Sequence, residues 1–573
     1  MGKIITSKLF KYIPIIETIK TYKKNTFKRD LTSALTVAVV AIPQSMAYAI
    51  IAGVNPVYGL YTAIVSTILS SAFGSSNHLI AGPTNAISLL IASNMKYFME
   101  RDNAYEMLFL LTFMVGVIQV LFGVFKMGKA LNYVSHAVIV GFTAGAGVLI
   151  ALGQLNQLFG IPTNNSAQIP TLEKVFYVVT HLDSTNILAL GLGLFTIAII
   201  LVCKKINDKL PGALIGIVLS MILVLIFELE RSGIKLTGDI PNTLPAFKMI
   251  RFDMNLAAEV FSGALAIAVI GLVEALSISR SIAAVSHQKI NVNHEFISQG
   301  VTNTVAAFFQ CFAGSGSFTR SAINYFSGAV TRMSGVLSGI TVAVILIFFA
   351  PYAKYISMPS LAGVIMVIAY SMVNKKEMRK ISKAGKSDSI AMWVTFSATV
   401  LMPNLDWAIY AGIFISIVLY LRNTGKVPAK ILVNSNEKNG CFIEKELDTV
   451  DSRTEILLIQ IEGNLYFGSA CDLESKLDII INKSKIFILR MRRVVTIDIT
   501  SLEVLRVFSR KVRDSGGTVI VCGVNPGLLS LILDSGFAEE IGRDNIFSSE
   551  DEIFVSTDKA LGKAREALNE EKK

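Results

Sequence analysis

Apolar residues fill the first three quarters of the chain in runs too long for a soluble core, and polar residues collect in the gaps between them. No Lys, Arg, Asp or Glu occurs between Leu31 and Met95. The runs predict membrane-crossing helices at about 31–52, 57–73, 105–125, 133–152, 186–203 and 211–228, with a shorter interrupted segment after Ala81. A polar stretch follows from Glu228 to Asp253. The pattern then resumes at about 257–279, 295–312, 319–330, 333–350, 358–373, 388–402 and 404–421. Each half holds seven segments, an odd number, so the second half enters the membrane upside down relative to the first. The expected fold is a polytopic α-helical membrane protein, with 14 membrane segments arranged as 7+7 inverted repeats and an α/β domain after them.

Two segments depart from continuous helix in corresponding places of the halves. In HLIAGPTNAISLLIASN, proline biases Gly82 away from helix, and Thr84 or Asn85 then caps a short helix. In AGSGSFTRSAINYFSGA, small residues lead into Thr319-Arg320 and a short amphipathic helix. Paired interrupted segments are the sequence pointer to a transporter site at the bilayer midplane. Non-helical backbone is tolerated there only where protein buries it or a cavity adjoins it. The helix starting near Thr319 offers free N–H groups and the positive end of its dipole, and Arg320 adds a full charge, which together suit an anion. The competing reading is a Gly/Ser-rich loop between ordinary spans.

Other polar positions inside the spans extend this picture. Gln44 and Tyr48 lie four residues apart on one helical face, next to Pro43, whose missing N–H frees backbone groups. They line a cavity or serve as helix–helix contacts. Between Val260 and Ser279 the sole ionisable residue is Glu274. An acid inside a membrane is a functional-site candidate by default, here for proton coupling, with an ion pair to Arg320 as the alternative.

Composition agrees: 52% hydrophobic and 17% charged residues with mean hydropathy +0.57 define a membrane protein. The net charge of +11 calls for no nucleic-acid partner. With the N-terminus inside, cytoplasmic loops receive Lys28 and Arg29, Lys126 and Lys129, Lys204 and Lys205, Arg280 and Lys289, Arg332, the cluster Lys375-Lys376-Arg379-Lys380, and Arg422. Mixed or acidic loops such as Glu100-Arg101-Asp102 and Glu228 to Asp253 fall outside, as the positive-inside rule requires. Cys203, Cys311, Cys441, Cys471 and Cys522 show no metal or disulfide spacing, so neither a metal site nor a cofactor is expected. The organisation is a cytoplasmic N-terminal segment (1–30), a transmembrane domain (31–422), a polar linker (423–452) and an α/β domain (453–565) without P-loop, GxGxxG or nucleophile elbow. Enzymatic chemistry is not expected.

AIPQSMAYAIIAGVNPVYGLY, AGPTNAIS, GLVEALSISRSIA and GSFTRSAINYFSGA, followed by a terminal STAS-like domain, resemble the SulP anion-transporter family over nearly the whole chain. The resemblance implies core and gate domains, elevator-like alternating access and homodimers, while the charge distribution places both termini on the cytoplasmic side of an inner (plasma) membrane. The resemblance places the anion between the third and tenth helices at Asn85, Ala86, Thr319 and Arg320, with Gln44 and Tyr48 lining the cavity and Glu274 at the position associated with cation coupling. Sodium-coupled bicarbonate relatives carry a hydroxyl residue one turn after that acid. Here the place is Ile278, which favours protons over sodium. In IDITSLEVL, Thr500 stands where anti-anti-sigma domains carry a phosphorylatable hydroxyl; the alternative is that Thr500 caps a helix, with the domain docking a cytoplasmic partner. The resulting expectation is a proton-coupled symporter of sulfate, bicarbonate, chloride or dicarboxylates. The alternatives are a sodium symporter, an exchanger, a nucleobase permease and a membrane-tethered signalling protein.

Overall fold

The computed structural model describes residues 14–96, 98, 101–128, 135–162, 171–207, 210–238, 241–434, 442–447 and 454–571. Residues 1–13 of the N-terminal segment, and Glu100, Lys129 and Cys441, lie outside the described residues. The chain divides into two compact units, Met1–Ser416 and Ile417–Lys573.

A helix stands at every place where the hydropathy pattern expects a membrane segment. The first half comprises α1 (Lys24–Ile51), α2 (Pro56–Phe73), α3 (Asn85–Met95), α4 (Ala104–Val124), α5 (His136–Gly153), α6 (Ile187–Ile206) and α7 (Gly212–Ile226). The second comprises α8 (Met254–Ser286), α9 (Val292–Phe308), α10 (Phe318–Phe326), α11 (Met333–Ala353), α12 (Met358–Met372), α13 (Lys386–Leu401) and α14 (Leu405–Thr424). Their packing follows the repeat. α2 meets α11 as α9 meets α4; α1 meets α10 and α11 as α8 meets α3 and α4; α5 meets α13 as α12 meets α6. Shifting each helix number by seven turns each of these pairs into its counterpart, as two copies of one unit would. α1 runs as one helix through Pro43. Gly59 of α2 lies directly against the Ser45 carbonyl oxygen of α1, leaving no room for a side chain there.

The pseudo-symmetry centres on two short strands, β1 (Ala81–Gly82) and β2 (Ser315–Gly316), paired antiparallel. Two residues per strand cannot satisfy this buried backbone alone, so side chains of neighbouring helices complete it. Thr67 Oγ1 donates to the Ala81 carbonyl at 2.6 Å, and in the other direction Ser315 Oγ of β2 donates to the Gly271 carbonyl of α8 at 2.6 Å. Ser321 Oγ accepts from the Ile80 N–H at 2.8 Å. Asn303 on α9 accepts from the Gly314 N–H at 2.9 Å and donates back to its carbonyl at 3.0 Å. The same amide donates to Gln119 of α4 at 2.9 Å. These polar residues explain why α9 is buried although it is less apolar than its neighbours.

The second unit is built on a six-stranded sheet in the order β4-β3-β5-β6-β7-β8, formed by Ala429–Asn434 (β3), Phe442–Glu446 (β4), Thr454–Leu465 (β5), Ser484–Ile497 (β6), Thr518–Val524 (β7) and Ile546–Ser548 (β8). β5 to β8 are parallel, and β3 runs antiparallel to both β4 and β5. Part of the stretch read as a polar linker is therefore sheet. The apolar signal is short, carried by Ile431 and Leu432, which are buried on opposite faces. The C-terminal helix Val555–Glu571 covers one face and runs past position 565. Thr500 does not cap the helix Ile499–Asp514. Asp498 does, accepting from the Ser501 N–H at 2.8 Å, as a carboxylate outcompetes a hydroxyl that would have to sit one turn position later. Thr500 is exposed in the first turn.

Candidate anion-binding site

The chain after each short strand turns directly into a half-length helix, so the N-termini of α3 and α10 both start from the β1–β2 crossing. Extended backbone at Thr84 and Ser317 marks the two helix starts. Ser317 accepts from the Arg320 N–H at 3.5 Å, so α10 begins one residue earlier than the sequence suggests and one of its end N–H groups already has a partner. Asn85 Oδ1 accepts from the Ala86 N–H at 2.8 Å. Ala86 is fully buried, and Thr319, in the first turn of α10, is exposed.

Arg320 is the largest fully buried side chain among the described residues. Its Nη2 donates to the Pro83 carbonyl at 2.6 Å, while Nε and Nη1 have no partner among the described residues. Burying a guanidinium with two unpaired nitrogens carries a desolvation penalty that an anion can offset. The guanidinium lies against Gly82, where an added Cβ would stand 2.7 Å from Nη1. Gly82 also has φ +149°, a conformation that side-chain-bearing residues rarely adopt. Gly82→Ala is therefore expected to displace Arg320 and abolish most anion binding while leaving the protein folded, as read by anion titration beside gel filtration. Binding equal to wild type would dissociate Arg320 from the site.

Glu274, half-buried on α8, accepts from the Thr84 hydroxyl at 3.2 Å and makes no ion pair with Arg320 among the described residues. The alternative of a structural Glu274–Arg320 pair is thus absent from this conformation. Tyr48 is buried, and Glu274 and Arg320 both lie within its Coulombic reach. Gln44, one turn before it, keeps a buried side-chain carbonyl oxygen without a partner among the described residues. Sequence reasoning missed Gly82 as the surface against which Arg320 packs, and Thr84 as the link to Glu274. The sequence signal was present in AGPT, where a hydroxyl follows the proline at a helix start.

An inverted repeat with two half-helices meeting over a buried arginine, joined to an α/β domain, defines a secondary-transporter architecture. The chain matches the Sulfate permease family over residues 27–395 and a STAS domain over residues 449–553. It is 32% identical over 538 residues to YvdB of Bacillus subtilis (strain 168), named there as a candidate sulfate transporter, covering 93% of this chain and 98% of that protein. It is also 27% identical over 564 residues to high affinity sulfate transporter 2 of Stylosanthes hamata, covering 93% of this chain and 84% of that one. Its fold is similar to the murine Solute Carrier 26 family member A9 (Slc26a9) anion transporter in the inward-facing state, with TM-score 0.86 and 18% identity over 98% of this chain and 95% of the other. The transmembrane domain of a cyanobacterium bicarbonate transporter, BicA, matches with TM-score 0.60 at 23% identity, covering 68% of this chain and 98% of that domain. The chain belongs to the sulfate permease family, whose members are multi-pass membrane transporters and not enzymes.

Proposed function

We propose that this protein carries small inorganic or organic anions across the membrane, held between the N-termini of α3 and α10 and balanced by Arg320. The observation that carries this reading is the buried guanidinium with Nε and Nη1 unpaired beside two helix starts. Relatives named as sulfate transporters and a structural neighbour described as a bicarbonate transporter support a small-anion substrate, and within that class the proposal covers sulfate, bicarbonate, chloride or dicarboxylate. In this reading Asn85, Ala86 and Thr319 complete the anion's surroundings, and Gln44 and Tyr48 line the approach from α1. The core of α1–α4 and α8–α11 moves as one body against the gate of α5–α7 and α12–α14, carrying the site between the two sides. Glu274 couples transport to a proton. Its contact with Thr84 links its charge to the start of α3. The protein works as a homodimer in the plasma membrane with both termini cytoplasmic, and the STAS domain docks a cytoplasmic partner, with Thr500 exposed for modification.

The test is uptake into liposomes containing the purified protein, screened over sulfate, bicarbonate, chloride, nitrate and dicarboxylates under imposed proton or sodium gradients. Uptake of one or more of these anions driven by an inward proton gradient is expected. Folded protein that moves none of them would end the anion reading, and dependence on sodium at constant pH would replace the proton.

A further inference from the structure

Between α12 and α13 the chain forms a ten-residue helix, Lys375–Ala384, with sharply divided faces. Its apolar face, Met378 and Ile381, is buried against Ala137, Val140 and Ala144 of α5 and Met392 of α13. Its other face presents Lys375, Lys376, Arg379, Lys380 and Lys383, all exposed, and Lys386 follows at the start of α13. Glu377, the sole acid among residues 375–386, is half-buried and turned toward His136 at 3.5 Å and Lys380 at 3.7 Å. The positive face therefore keeps nearly its full charge.

Two exposed aromatic residues flank this helix. Trp393 on α13 donates its indole N–H to Ser382 at 3.2 Å, and Tyr370 near the end of α12 lies 5.6 Å from the Lys375 ammonium. Both rings are substantially exposed, at 46% and 71%. Trp and Tyr on lipid-facing helices settle at the level of the headgroups. A basic helix held beside them, flat against the transmembrane helices by its own apolar side, meets the phosphate layer of the leaflet.

We propose that the exposed basic face of Lys375–Ala384 binds the phosphate headgroups of anionic phospholipids in the leaflet it borders. This rests on the membrane topology and is independent of which anion is transported. Each basic residue near an anionic surface strengthens attraction, and salt weakens it over about a Debye length. Because the helix bridges α12 and α13, the bound headgroups tie this part of the gate to the bilayer plane.

The full-length protein, purified in detergent, is titrated with phosphatidylglycerol or phosphatidylcholine, and retained lipid is counted by native mass spectrometry. The variant K375Q/K376Q/R379Q/K380Q/K383Q keeps Glu377, Met378 and Ile381, and with them the docked face. It is expected to bind phosphatidylglycerol about tenfold more weakly or worse, with phosphatidylcholine unchanged. K375R/K376R/K380R/K383R, which preserves charge, should match wild type, as should K204Q/K205Q, which neutralises an exposed pair at the end of α6. The proposal is overturned if the glutamine variant retains phosphatidylglycerol within about twofold of wild type, or if either control loses as much as it does. It is also overturned if inorganic phosphate displaces the lipid at equal concentration, since the surface would then be a soluble-phosphate site.

Discussion

Arg320→Ala is expected to weaken anion binding by about ten- to a hundredfold without unfolding the protein. Two unit charges about 4 Å apart attract by roughly 4 kcal/mol at an effective dielectric near 20, and desolvation of both groups takes back a large part of that. The remainder corresponds to the stated range. The sign of the stability effect separates this role from a structural one. Arg320 gives one hydrogen bond, to the Pro83 carbonyl, and leaves Nε and Nη1 unpaired. Removing it deletes a buried charge that lacks an acidic partner among the described residues, so thermal stability without anion should hold or rise. Stabilisation by added anion, which follows from binding to the folded state alone, should fade in the same variant. Arg320→Lys keeps the charge but loses the planar fork, and should retain part of the binding. The measurement is anion titration together with melting curves in detergent, with and without anion. Wild-type affinity in Arg320→Ala would move the site elsewhere.

The membrane half of the fold was legible because its signal is additive. Each span needs only enough apolar residues in a row, and the placement of fourteen segments survived small errors at the ends. The two interrupted segments were legible as well, because Pro83 and the run of small residues before Phe318 forbid or discourage helix locally. What joins them was not. The partner of the Ile80 N–H is Ser321, 241 positions away, and the partner of the Gly314 backbone is an asparagine on a helix that reads only as a moderately polar span. Nothing within a short window marks those pairings. Arg320 illustrates the limit: its charge and depth follow from sequence, but its orientation depends on Gly82 in the other half of the repeat. The assignments that failed were decided by near neighbours competing for one job. Asp498 took the cap from Thr500. The strands β3 and β4 lay hidden in a polar stretch because β4 is largely exposed and carries Glu444, Lys445 and Glu446.

Glu274→Gln is expected to preserve anion binding and abolish accumulation. The amide has the size and hydrogen-bonding capacity of the protonated acid, and its carbonyl oxygen can still accept from the Thr84 hydroxyl, which now contacts the carboxylate at 3.2 Å. Because Glu274 makes no ion pair with Arg320 in this structure, the substitution leaves no buried charge newly uncompensated, and the variant should fold. What it loses is the ability to take up a proton on one side and release it on the other. For one proton carried with one anion, a gradient of one pH unit is worth about 1.4 kcal/mol and supports at most about tenfold accumulation. The wild type should approach that limit with acid outside, whereas the variant should equilibrate its substrate and stop. Anion titration and gradient-driven uptake on the same preparations decide the matter. If Glu274→Gln still accumulates anion against a gradient, or if wild-type accumulation ignores an imposed pH difference, Glu274 does not carry the proton. A variant that aggregates, rescued by Glu274→Asp, would give the carboxylate a structural role. Uptake that follows an imposed sodium gradient at constant pH would keep Glu274 in the mechanism and change the ion that it serves.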